Sequence, residues 1–116
     1  MRILIAGGGQ AAALVAARLI REGNEVVIVE QNPERCLELE EIVDAKVVRG
    51  NGASIRTLHE AGLGNSEMLI ALTSEDQVNV LVCLIAQAQV STRDEILQMF
   101  TKRMSKLTSR AKEELE

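Results

Sequence analysis

A glycine-rich turn near the amino terminus is the first feature of the chain that could bind a ligand. It has the spacing GxGxxA and consists of Gly7, Gly8, Gly9, Gln10, Ala11 and Ala12. In such a turn Gly7 allows a tight bend, Gly9 lets a pyrophosphate approach the backbone, and Ala12 keeps the following helix close to the strand. The free N–H groups of that helix then face the phosphates. The alternative is a glycine turn that only packs a helix onto a sheet.

A single acidic residue, Glu30, ends the next apolar segment, 21 residues after Gly9. An ionised carboxylate only accepts hydrogen bonds, so Glu30 could bind both hydroxyls of an adenosine ribose. It would repel a 2′-phosphate, and the neighbouring Gln31 and Asn32 supply no cation to offset that repulsion; Arg35 is the one candidate counterweight. The pattern favours NAD(H), ATP or ADP over NADP. The alternative is that Glu30 is a solvated strand end.

Composition excludes several other functions. The chain has 116 residues, a net charge of −4, one His, two Cys and a single aromatic residue, Phe100. One aromatic residue cannot form a stacking platform for nucleic acid, and the negative charge disfavours binding to a phosphate backbone. Too few His and Cys are present for a structural zinc site, and the cysteines form no CxxC pair, which favours a reducing cytoplasm. No catalytic set of Ser, His, Cys or paired carboxylates stands out, so we expect no enzyme and no metal site.

Hydrophobic periodicity and turn residues predict alternating strands and helices. Gly23 and Gly62 are predicted to end helices, the pair Asn32 and Pro33 to begin one, and a capping box of Ser74 and Gln77 to begin another. Strands are expected at residues 1–6, 25–30, 45–49 and 68–72, and helices at 10–22, 33–42, 54–61 and 74–89. This order predicts an α/β fold, a doubly wound, Rossmann-like parallel sheet with strand order 3-2-1-4.

The last segment, residues 91–116, is predicted to form a separate amphipathic helix after a nucleotide-binding domain at 1–90. Between Lys102 and Lys112 it carries five positive charges and no negative charge. Its apolar positions have the spacing of a single helical stripe: Ile96, Phe100, Met104, Leu107, Ala111 and Leu115. A stripe of this length indicates a dimer or partner contact, or else packing on its own domain.

The first three quarters of the chain resemble the RCK/KTN family, the nucleotide-binding regulatory domains of potassium channels and transporters that include the TrkA-type subunits. Two segments carry the resemblance. They are MRILIAGGGQAAALVAARLIREGNEVVIVEQNPER and VVRGNGASIRTLHEAGLGNSEMLIALTSEDQVNVLVCLIA. Two positions depart from the family pattern: Ala12 replaces the third glycine, and Asn51 stands where the family usually has Asp. The second departure keeps a hydrogen-bonding side chain but removes a charge.

The resemblance implies a set of binding residues, position by position. The phosphates would be bound by the residues of the glycine turn, Gly7, Gly8, Gly9, Gln10 and Ala11. The ribose would be bound by Glu30, with Gln31 beside it. Residues bordering the adenine are Asn51, Gly52 and Ala53, and Thr73 would lie near the phosphates or a second ribose.

The resemblance also implies a function. It implies a cytoplasmic regulatory domain that senses NAD(H) or an adenine nucleotide and controls potassium transport through the arrangement of a homodimer or higher oligomer. Its partner would be a membrane potassium transporter or channel subunit, with the domain peripheral at the inner face of the membrane and neither inserted in it nor bound to nucleic acid. The alternatives are the cofactor-binding half of an NAD-dependent oxidoreductase, and an oligomerisation module that has lost its ligand.

Overall fold

The computed structural model describes residues 1–89, in which strands and helices alternate. The strands are β1 (Arg2–Ala6), β2 (Glu25–Glu30), β3 (Lys46–Arg49) and β4 (Met68–Ala71). The helices are α1 (Gln10–Arg21), α2 (Pro33–Ile42), α3 (Ile55–Glu60) and α4 (Asp76–Gln89), with a short 3-10 turn at Leu63–Asn65. The predicted helix at 91–116 lies outside the described residues. Within residues 1–89, no helix is both long and apolar enough to cross a membrane.

The four strands form one parallel sheet in the order β3-β2-β1-β4, which confirms the predicted topology. Ala6 at the end of β1 pairs with Val29 on one side and Ala71 on the other. Glu30 at the end of β2 pairs with Arg49 at the end of β3. This register brings the carboxyl ends of all four strands to the same edge, where ligands bind in open α/β sheets.

Helices cover both faces of the sheet, as a doubly wound fold requires. On one face, Ala12 and Ala16 of α1 and Leu39 of α2 pack against β1 and β2. On the other face, Leu58 of α3 and Val82 of α4 pack against the same two strands. The buried residues of both clusters are Ile, Leu, Val and Ala, which suits strands buried on two sides.

Most helix ends form where the sequence predicts them. The Asn32 side chain caps α2, accepting from the N–H groups of Glu34 at 2.9 Å and Arg35 at 3.2 Å, with Pro33 in the first turn. Gly23 has φ +91° directly after Glu22, the C-cap of α1, a backbone conformation that favours glycine. Gly62 has φ +93° after α3.

The capping box predicted at the start of α4 is wrong. The helix begins at Asp76. The side chain of Asn79, not that of Ser74 or Gln77, forms hydrogen bonds with the backbone of Thr73 before the helix. Asn79 carries both an acceptor and a donor on one amide, so it can bond the backbone N–H and the C=O of Thr73 together. A serine hydroxyl paired with Gln77 would bond only the first turn of the helix itself.

Candidate nucleotide-binding site

The predicted site residues gather at the carboxyl edge of the sheet, one group after each strand. The glycine turn follows β1, Glu30 ends β2 with Gln31 exposed beside it, and Asn51 to Ala53 follow β3. Thr73 follows β4.

Gly7 forms the tight bend that the sequence predicts. Its φ is +105°, a conformation that L side chains rarely adopt. A Cβ at this position would lie 2.6 Å from the carbonyl oxygen of Leu72 and 2.8 Å from the backbone nitrogen of Thr73. The N–H of Gly7 donates to the carbonyl of Val29 at 2.8 Å, so the bend is also tied to β2. Gly7 therefore lets the chain turn sharply after β1. It also lets the backbone of this bend lie against Leu72 and Thr73, directly after β4.

Gly8 is required for a reason that the GxGxxA pattern does not contain. The residue is buried, and a Cβ on it would lie 2.5 Å from Leu39 Cδ1 and 3.0 Å from Glu30 Cβ. Leu39 belongs to α2, so this constraint arises only when α2 packs over the turn. No local sequence signal could have identified it, because the motif treats this position as free.

Gly9 and the start of α1 present backbone donors to open space. Gly9 is the N-cap of α1, has φ −73°, and has no side chain to bond the first turn. A Cβ on Gly9 would meet nothing within 4 Å. Within residues 1–89, the N–H groups of Gly9, Gln10 and Ala11 have no acceptor, and the side chains of Gln10 and Ala11 are exposed. Backbone donors of this kind at a helix N-terminus favour an anion.

The Glu30 carboxylate is held by backbone donors on both of its oxygens. Oε1 accepts from the N–H of Gly8 at 2.9 Å, and Oε2 accepts from the N–H of Asn32 at 2.8 Å. Each carboxylate oxygen can accept more than one hydrogen bond, so both remain able to accept from ribose hydroxyls. The two bonds fix the carboxylate beside the glycine turn.

The three residues predicted to border an adenine differ in what they do. The Asn51 side chain accepts from the N–H of Ala53 at 2.9 Å, which builds the turn after β3. Asp and Asn form this kind of turn equally well, so the departure from the family pattern keeps the local backbone. Gly52 approaches Ala6, where an added Cβ would lie 3.4 Å from the Ala6 Cβ. Ala53 packs against the core under α3 and α4.

Thr73 is bonded to the start of α4. Its N–H and its hydroxyl donate to Asn79 Oδ1 at 2.8 Å and 2.7 Å, and Asn79 Nδ2 donates to the Thr73 carbonyl at 3.2 Å. Sequence reasoning missed Asn79, because an asparagine inside a helix carries no signal that its side chain reaches back past the helix start. Thr73 thus lies beside Gly7 and is held from the other side by α4.

Arg35 and Cys36 of α2 bond the backbone next to Glu30. Arg35 Nε donates to the carbonyl of Gly8 at 2.6 Å, and its NH1 pairs with Glu38 at 2.9 Å. The sequence suggested Arg35 only as a counterweight to the Glu30 charge. Cys36 is buried and its thiol donates to the Glu30 carbonyl at 3.3 Å. Burial raises the pKa of the Cys36 thiol, with the Glu30 charge adding to the effect, so the thiol is a packing group with little thiolate at neutral pH.

The arrangement suits a ligand that has phosphates at one end and a pair of hydroxyls at the other. Within the described residues, the backbone donors at the start of α1 are unpaired, and an acceptor-only carboxylate lies at the end of the neighbouring strand. Among residues 1–89, no group of three or more His, Cys, Asp or Glu is placed to hold a metal ion.

Comparison with known proteins agrees with the fold. The family model of the TrkA-N domain matches residues 3–111. The Trk system potassium uptake protein TrkA of Vibrio alginolyticus is 34% identical over 99 residues, which cover 85% of this chain and 22% of that protein. The TrkA homologs of Pyrococcus abyssi and Methanothermobacter thermautotrophicus are 38% and 34% identical over 87 residues, covering 75% of this chain and 38% and 40% of those proteins.

This chain therefore spans between 22% and 40% of the length of these three relatives. The family match covers the glycine turn, Glu30 and all four strands. With its four-stranded Rossmann-like sheet and this match, the chain belongs to the TrkA-N domain family.

Proposed function

We propose that this domain binds NAD(H) or an adenine nucleotide such as ATP or ADP at the carboxyl edge of its sheet. The observation that carries the proposal is the open space above Gly9, bordered by the fixed Glu30 carboxylate and by backbone N–H groups that find no acceptor among residues 1–89. The phosphates would accept from the N–H groups of Gly9, Gln10 and Ala11. The ribose hydroxyls would donate to Glu30.

The residues present fit such a ligand. A phosphate needs donors and space, and Gly9 offers both because its missing side chain leaves the first turn of α1 uncovered. A ribose needs a rigid acceptor, and the two backbone bonds to Glu30 keep its carboxylate from turning away. Asn51 to Ala53 would border the adenine, and Thr73 would lie at the far side of the phosphates.

The same contacts disfavour NADP. A 2′-phosphate would meet the Glu30 carboxylate, which cannot move aside without breaking bonds to Gly8 and Asn32. Arg35, the candidate cation, is bonded through Nε to the Gly8 carbonyl and through NH1 to Glu38. A 2′-phosphate would therefore have to break existing contacts before gaining a partner.

The proposed role is regulation of potassium transport. The relatives are named as potassium uptake proteins of the Trk system, and this domain corresponds to a part of each. A nucleotide that binds one arrangement of a homodimer more tightly than another shifts the population toward that arrangement. The change of dimer arrangement would then be transmitted to a membrane transporter at the cytoplasmic face. The apolar stripe at 91–116, outside the described residues, is the proposed dimer or partner contact. The relatives' names favour this role over that of an oxidoreductase half.

Isothermal titration calorimetry with NADH, NAD, ATP, ADP and NADPH tests the proposed ligand class. We expect saturable binding of at least one ligand that lacks a 2′-phosphate, with NADPH weaker than NADH. If none of the five ligands binds at millimolar concentration, the sensing function is wrong. If NADPH binds more tightly than NADH, the role of Glu30 is wrong.

A further inference from the structure

We propose that Arg35 is a positioning residue that sets the direction of the Gly9 N–H group at the phosphate end of the site. Arg35 would act through the backbone of the glycine turn and would not contact the ligand. This inference rests on the proposed nucleotide-binding function.

The contacts of Arg35 tie the glycine turn to α2. Its Nε donates to the Gly8 carbonyl at 2.6 Å, while NH1 pairs with Glu38 at 2.9 Å, and the side chain is only 24% exposed. The helix that carries Arg35 is itself anchored, because Asn32 caps its first turn and donates its own N–H to Glu30. The guanidinium therefore extends from a fixed base.

Peptide geometry passes this constraint on to Gly9. The carbonyl of Gly8 and the N–H of Gly9 belong to one planar trans peptide unit, so they point in opposite directions. Holding the carbonyl toward α2 therefore aims the Gly9 N–H away from α2. The bond from the Gly8 N–H to Glu30 holds the preceding peptide unit as well.

Glycine makes this restraint necessary. Gly8 and Gly9 have no Cβ to limit their backbone, so the peptide unit between them could rotate between several orientations at low cost. An anion site depends on donors that converge before the ligand arrives. Without Arg35, the Gly9 N–H would sample directions that do not face a phosphate, while the Glu30 carboxylate would keep its two backbone bonds.

The experiment compares a ligand with phosphates to one without. The 116-residue chain and its Arg35→Met variant are titrated with ADP and with adenosine by calorimetry, with competition against ADP where adenosine binding is weak. For Arg35→Met we expect ADP to bind about tenfold more weakly or worse, on the scale of a hydrogen bond to a charged group. Adenosine affinity should change by less than about twofold, because its contacts to Glu30 remain.

Two control variants separate positioning from charge. Glu38→Gln removes the partner of NH1 but leaves the bond to Gly8, and Arg56→Met removes a cation whose side chain is 89% exposed on α3. Both should bind ADP within about twofold of the wild type. If Arg35→Met does not give a cooperative unfolding transition, Arg35→Gln replaces it, with the same expected loss.

Each other outcome has a defined meaning. Unchanged ADP affinity in the Arg35 variant, or an equal loss for ADP and adenosine, overturns the positioning role. An ADP loss in Arg56→Met as large as that in Arg35→Met also overturns it, because the effect would then come from net charge. If the wild type itself binds no ADP while the other nucleotides bind, NADH replaces ADP in the comparison. If it binds none of them, the proposed function is wrong, and this inference is wrong with it.

Discussion

The three consecutive glycines do three different things, although the sequence shows them as one run. Gly7 has a positive φ and touches the end of β4, Gly8 has no room for a side chain under Leu39, and Gly9 faces open space. The first two are therefore needed by the fold, and only the third is free to serve a ligand. This difference separates stability from binding at neighbouring positions.

Alanine substitutions at Gly7 and Gly9 should differ in their effect on the free energy of unfolding. Gly7→Ala should lower the free energy of unfolding by about 2–5 kcal/mol, because the new Cβ is strained and clashes with Leu72. Gly9→Ala should change it by less than about 1 kcal/mol, because φ is −73° and no atom lies near. Urea unfolding measures both values.

Gly9→Ala should nevertheless abolish or strongly weaken ADP binding, because its Cβ would enter the space proposed for the phosphates. Unimpaired ADP binding by this variant would place the phosphates elsewhere.

At Glu30, removal of the carboxylate should weaken an adenosine ligand. Glu30→Ala should cost about 1.5–3 kcal/mol of binding free energy for NADH or ADP, the usual scale for hydrogen bonds to a charged group. Glu41→Ala, which removes an exposed carboxylate from α2, is the matched control and should leave affinity unchanged. Calorimetry measures the affinity of both variants for NADH and ADP. If Glu30→Ala and Glu41→Ala bind with equal affinity, Glu30 is not part of the site.

At the scale of elements, local signals predicted the helix ends well and tertiary contacts decided the rest. The sequence was sufficient to predict these helix ends because the residues that form them act within a few positions of their own: Asn32, Pro33, Gly23 and Gly62. The start of α4 was predicted wrongly, since Asn79 bonds back across the helix start to Thr73. The role of Gly8 was missed because it depends on Leu39 of another helix.

The hydrogen bonds between Thr73, which follows β4, and Asn79 of α4 predict a stability difference between two polar residues of this helix. Asn79→Ala should lower the free energy of unfolding by about 1–3 kcal/mol, because the Thr73 N–H loses its acceptor in a half-buried position. Gln77→Ala, in the exposed first turn of the same helix, should change it by less than about 0.5 kcal/mol. Chemical denaturation of the two variants measures both changes. If a capping box began α4 instead, Gln77→Ala would lower the free energy of unfolding more than Asn79→Ala.

At the scale of the molecule, the parallel register assembles the site. The strand order and the common carboxyl edge followed from the alternation of strands and helices, so the sequence could predict which loops meet. It could not show that Glu30 is tied to both Gly8 and Asn32, or that Arg35 bonds the glycine turn, because those bonds depend on how α2 packs.

The proposed self-association depends on the apolar stripe at 91–116, which lies outside the described residues. We expect the 116-residue chain to sediment as a dimer or larger species, and Phe100→Glu to shift it toward the monomer by placing a charge on the stripe. Lys106→Glu, off the stripe, serves as the control and should leave the distribution unchanged. A wild-type chain that is monomeric throughout the accessible concentration range would contradict the dimer proposal.

The most direct test of the nucleotide site is an NMR titration of the ¹⁵N-labelled chain with ADP. We expect saturable shifts that are largest at the amides of Gly9, Gln10 and Ala11, with smaller shifts around Glu30. Absence of shifts at millimolar ADP, or saturable shifts centred at the opposite edge of the sheet around Arg2 and Glu67, would contradict the proposed nucleotide site.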